Sequence, residues 1–117
     1  MRLLSSGTIF GIDAIYFANK KEMIIDFTDY HGVLKVGFRE LLYFNLSNDL
    51  TDMDDDEAVI IEIEHQYRRL AKQDVSYYLF RLENHDFSGD DRMFHIIRIH
   101  GAPVIDIICE ELVWFER

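Results

Sequence analysis

Cysteine is almost missing from this sequence. Cys109 stands alone among 117 residues, so no disulfide can form within the chain, and a reducing cytosol is the expected setting. Proline occurs once, at Pro103. Basic residues are scarce: 12 Lys and Arg against 22 Asp and Glu leave a formal net charge of −10. Gripping a phosphate backbone depends on Lys and Arg displacing counterions, so the composition argues against nucleic acid or an anionic membrane as the partner. Nor does any run approach the roughly 18 to 20 apolar residues that cross a bilayer. Ser5, Ser6, Gly7 and Asp13 interrupt the opening residues before a secretory signal of useful length can form. A soluble, cytoplasmic protein is expected. The sequence also lacks G-x-S-x-G, H-E-x-x-H, P-loop and G-x-G-x-x-G patterns, which removes the commonest signatures of hydrolases, zinc proteases and nucleotide enzymes.

What is present is a globular composition, 49% hydrophobic and 29% charged, in a length suited to one domain over residues 1–117. Period-2 alternation dominates. Residues 12–18, 23–28 and 33–38 alternate between the turns Asn19-Lys20-Lys21 and Asp29-Tyr30-His31-Gly32, which predicts an antiparallel meander. Residues 39–41 are expected to bend the chain into a further strand at 42–46. The stretch 57–73 reads two ways. A helix is favoured by a stripe containing Val59, Ile63 and Leu70, with acids early and bases late. A strand is favoured by the β-branched run Val59-Ile60-Ile61. The composite expectation is a strand over 58–64 followed by a helix over 65–72. Strands at 77–83, 93–100 and 104–115 complete an α+β fold, mainly antiparallel β. It would have seven or eight short strands in a curved sheet, roll or sandwich with one short helix. In the last strand Ile105, Ile107, Cys109, Val113 and Phe115 share one side by strict alternation, opposite Ile108, Leu112 and Trp114.

The sharpest compositional feature is the acidic run Asp52-Met53-Asp54-Asp55-Asp56-Glu57. Read as a calcium loop it fails, because the sixth position is Glu57 where glycine is needed and the twelfth is Ile63 where a bidentate Glu is needed. Read as a contact surface, Asp52, Asp54, Asp55, Asp56 and Glu57 would steer a basic protein partner. The plain alternative is a solvated loop. The histidines at 31, 65, 85, 95 and 100 carry no zinc spacing, and His95 and His100 fall on opposite faces of one strand. They read as ordinary surface or hairpin residues. Cys109, between Ile108 and Glu110, reads as a small buried hydrophobe. Asp13 and Asp26 form the one acid pair that could face across the first hairpin. No catalytic residue, cofactor or metal is therefore expected. The aromatics Tyr30, Tyr77, Tyr78, Trp114 and Phe115 exceed what one sheet face hides, so packing on a second copy is an open alternative.

Two stretches carry a resemblance. Phe94-His95-Ile96-Ile97-Arg98-Ile99-His100-Gly101 with Val104-Ile105-Asp106-Ile107-Ile108-Cys109-Glu110-Glu111-Leu112 is similar to the ending of small bacterial immunity-like proteins that accompany polymorphic toxins. Ile25-Asp26-Phe27-Thr28-Asp29-Tyr30-His31-Gly32, followed by Phe38-Arg39-Glu40-Leu41, resembles them too. The resemblance covers about half the chain and carries no active-site residues. It implies a non-enzymatic cytosolic protein that blocks a toxin by binding it. The expected function is thus a protein-interaction module, an immunity-type inhibitor with an acidic surface for a basic partner. The alternatives are a small-ligand or catalytic domain using a pocket in a curved sheet, and a structural homodimer.

Overall fold

The computed structural model describes residues 3–5, 7, 9–47, 58–70 and 91–115. Six strands form among them: β1 (Ile9–Asn19), β2 (Glu22–Asp29), β3 (Gly32–Ser47), β4 (Ala58–Arg68), β5 (Phe94–Ala102) and β6 (Val104–Trp114). Every neighbouring pair is antiparallel, and the order β1-β2-β3-β6-β5-β4 closes into a barrel. The seam that closes it joins Gly11 to Val59 and Ile12 to Ala58. Local chemistry explains the first hairpins. Asn19 accepts a hydrogen bond from the Lys21 N–H at 2.9 Å, and Asp29 does the same for His31 at 2.8 Å, so each turn is held by an Asx side chain. Gly32 supplies the positive φ of 112° that the second turn requires.

Alternation fills the interior. Met23, Ile25 and Phe27 of β2, Val36 and Phe38 of β3, Ile97 and Ile99 of β5 and Ile105, Ile107 and Cys109 of β6 are all at 0% exposure. A six-stranded barrel is narrow, so these side chains occupy its centre as a packed core. Burying each large one contributes about 1.5–3 kcal/mol.

The mainly antiparallel β expectation is met, and two finer expectations are corrected. The helix expected over 65–72 does not form at its start, because residues 65–68 continue β4, with Tyr67 opposite His95 and Arg68 opposite Phe94. No helix occurs among the described residues. The strands expected at 33–38 and 42–46 are one strand, β3, and between them lie a left-handed residue at Glu40 and a bulge between Leu41 and Tyr43. The expected strand at 77–83 lies outside the described residues.

Glu40 takes φ of 52° while the Leu41 N–H donates to the Lys21 carbonyl at 3.0 Å. Across this point both β3 and β6 shift phase. Phe38 and Leu41 both belong to the core, and so do Cys109 and Leu112. Leu112 and Trp114 therefore pack against the interior, not Val113 and Phe115 as strict alternation predicts. Phe115 instead lies over Gly37, where an added Cβ would stand 3.2 Å from the ring. From Ile105 to Cys109 β6 is buried on both faces. On the outer face Ile108 joins Tyr43, Phe94 and Ile96 in a second buried cluster.

Candidate functional site

Two ends of the barrel carry the residues with chemistry. At one end, β3 stops at Ser47, paired with Val104, and β4 begins with Val59 paired with Ala102. Ala102 and Val104 flank Pro103, so the connection between β3 and β4 leaves and returns beside the β5–β6 hairpin. That connection holds Asp52, Asp54, Asp55, Asp56 and Glu57, which lie outside the described residues. Beside its anchor points the inner row is left open to solvent. Phe17, in register with buried Met23, is 55% exposed, and Leu46, in register with buried Ile105, is 40% exposed. Phe17 meets Phe44 edge-on across this end at a ring distance of 6.0 Å.

Charge is distributed unevenly around this frame. On the barrel wall acids are matched with bases: Asp26 with Lys35, Glu22 with Arg39, Glu110 with Arg92 and Asp106 with Arg98. The last pair is bidentate, at 2.7 and 3.0 Å, with Asp106 buried. By contrast, no Lys or Arg occurs between Arg39 and Arg68, so the acidic run brings no base of its own.

At the opposite end, β4 and β5 place His65 and His95 side by side. The His65 Nε2 lies 2.8 Å from His95 Nδ1, and the backbone N–H of Leu4 donates to His65 Nδ1 at 2.8 Å. A nitrogen that accepts carries no proton, so His65 is the neutral Nε2–H tautomer. It donates to His95 Nδ1, which leaves the His95 proton on Nε2. Tyr67 stacks against His95 with ring centres 4.4 Å apart. Burial, and then the neighbouring His95, push His65 down to about 4, and burial also lowers His95. Metal ligation through His65 Nε2 would need a proton on Nδ1, where the Leu4 N–H already points. Among the described residues no group of three or more His, Cys, Asp or Glu is placed to hold a metal.

No protein family, curated protein or solved structure matches the chain. The likeness to immunity-type proteins therefore rests on the residues quoted for it.

The remaining candidates are placed as follows. Asp13 and Asp26 are not partners: a register shift after Ile12 sets Ala14 opposite Asp26, and Asp13 is exposed. Cys109 is buried, and burial pushes its thiol up to about 12, far from the thiolate a nucleophile needs. His100 is on the outer wall, 2.7 Å from Glu64, and His31 sits in an exposed turn. His85, Tyr77 and Tyr78 lie outside the described residues. Tyr30 is 76% exposed and packs on Phe10 at 5.2 Å, whereas Trp114 packs on the core.

The His65–His95 pair was not foreseen from the sequence, where both read as ordinary surface or hairpin residues. The signal was there in phase. Ile63, His65 and Tyr67 form one alternating row, which becomes visible only if β4 is allowed to run past Glu64.

Proposed function

We propose that this protein is a non-catalytic interaction module that meets a basic protein partner at the barrel end carrying the acidic connection. An immunity-type inhibitor, which the resemblance implies, is the form of this reading that fits the residues best. The observation that carries it is a juxtaposition. The strands that flank the acidic run in sequence end and begin beside the β5–β6 hairpin, at the barrel end where Phe17 and Leu46 are exposed and Phe17 meets the half-buried Phe44. An apolar centre with charge around it is how protein interfaces are commonly built, the charge setting approach rate and the aromatics setting lifetime. The interior packing supports the same direction, since side chains fill the space that a ligand inside the sheet would take.

Affinity capture from the native cell at low salt tests this reading. The wild-type chain is expected to retain a basic protein that elutes as salt rises. Asp52→Asn, Asp54→Asn, Asp55→Asn, Asp56→Asn and Glu57→Gln together should slow its association and flatten the salt dependence, while Phe17→Ala should speed its release. Equal association rates for wild type and the five-site variant would remove the acidic run from the interface.

A homodimer is the second reading, favoured by the exposed set of Phe10, Tyr30 and Val33 on the barrel wall. Light scattering that gives a monomer at high micromolar concentration would set it aside.

A further inference from the structure

The neutral histidine pair is wired in one direction, and that wiring has no room for another proton. Leu4 N–H, His65 and His95 form a chain in which each donor faces one acceptor. A proton added to His65 lands on Nδ1 and sets two donors against each other at the Leu4 bond. A proton added to His95 lands on Nδ1, opposite the His65 Nε2–H. That clash is relieved if His65 moves its own proton to Nδ1, which again takes away the acceptor of Leu4. The bond between the rings then becomes charge-assisted and is the stronger of the two, so the link to Leu4 is the one that gives.

We propose that the His65–His95 pair is a proton-operated latch that holds residues 3–5 across the end of the barrel and releases them when one proton is taken up. Leu4 is what the latch secures. Its side chain is 4% exposed and belongs to the core cluster, so losing the backbone bond leaves a buried N–H unpaired and favours withdrawal of the segment.

Among the described residues, the groups facing the pair bring no counter-charge in acid. β4 contributes the Tyr67 phenol against His95, and β6 contributes the Cys109 thiol in register with His95. Ile97 of β5 stands opposite His65, and residues 3–5 are Leu, Leu and Ser. Burial depresses both rings, so the latch is fully closed above the ordinary histidine value of 6.5. It opens as pH falls toward the His65 value of about 4.

Amide exchange followed by NMR tests the latch on the intact chain. Between pH 7 and pH 4 the Leu4 amide should lose about tenfold or more of its protection, measured against its intrinsic rate, while Ile107 stays protected. In His65→Asn the side-chain Oδ1 takes the place of Nδ1 and cannot be protonated, so Leu4 should stay protected throughout. Unchanged Leu4 protection in the wild type, or loss in step with Ile107, would overturn the proposal. Ring nitrogen shifts of the wild type give a second check that needs no variant: at pH 7 His65 must carry its proton on Nε2, and an Nδ1–H form would also overturn it.

Discussion

Glu40 holds a backbone conformation that a side chain with a Cβ adopts at a cost of about 1–2 kcal/mol. Its carboxylate gains little in return, since the Lys21 ammonium is 3.8 Å away and both groups are largely solvated. Glu40→Gly should therefore raise stability by about 0.5–1 kcal/mol, read as a higher urea midpoint with an unchanged slope. Cys109 makes a second test at this scale. Native protein at pH 8 should resist alkylation, and the thiol should react only when urea unfolds the chain. Its folded value of about 12 lies above the ordinary 9.0, so its contribution to stability is complete below pH 9 and disappears as pH climbs toward 12. Cys109→Ala should flatten that alkaline decline. Burial of Cys109 was legible from its isoleucine neighbours. Glu40 was not, because nothing about a glutamate announces a left-handed backbone. The two histidines were hidden for another reason: their meaning depends on the partner strand, which lies 30 residues away in the chain.

At the level of the strand, Arg98 and Asp106 face each other across the β5–β6 hairpin, with the Asp106 side chain 6% exposed and Arg98 28%. Asp106→Ala should destabilise by about 2–4 kcal/mol, because it removes the buried carboxylate that binds the Arg98 guanidinium through two hydrogen bonds. Replacing both, with Arg98→Met and Asp106→Leu, should come within about 1 kcal/mol of wild type in a double-mutant cycle. Strands β1, β2, β5 and β6 were readable from their apolar patterns and from the marked turn at an end of each. β4 was readable only to Glu64. Beyond it the residues His65, Gln66, Tyr67 and Arg68 are not β-branched, and Arg68 and Arg69 suit a helix C-terminus. Pairing with β5 overrides that local preference. The phase shift in β6 was invisible because its cause sits in β3, at Glu40.

For the molecule as a whole, charge and closure are the governing quantities. The net charge of −10 and the base-free stretch between Arg39 and Arg68 predict self-repulsion that salt screens, so the melting temperature should rise from low to moderate ionic strength. A flat response would mean that the acids are too well hydrated to act on the fold. The mainly β class was legible at this scale, because alternation over so many segments leaves few other solutions. Ring closure was not, since strand order depends on which ends meet in space. The order found has a mechanical implication. Among the described residues the cylinder is shut by two rungs, Gly11 to Val59 and Ile12 to Ala58. Should thermal motion part them, the cylinder unrolls into a ribbon with two raw margins, whose bare amides and carbonyls suit those of a neighbouring molecule. Turbidity on warming should then begin below the global melt and set in earlier as the protein is concentrated. A clip across that join, such as paired cysteines at Gly11 and Val59, should delay it.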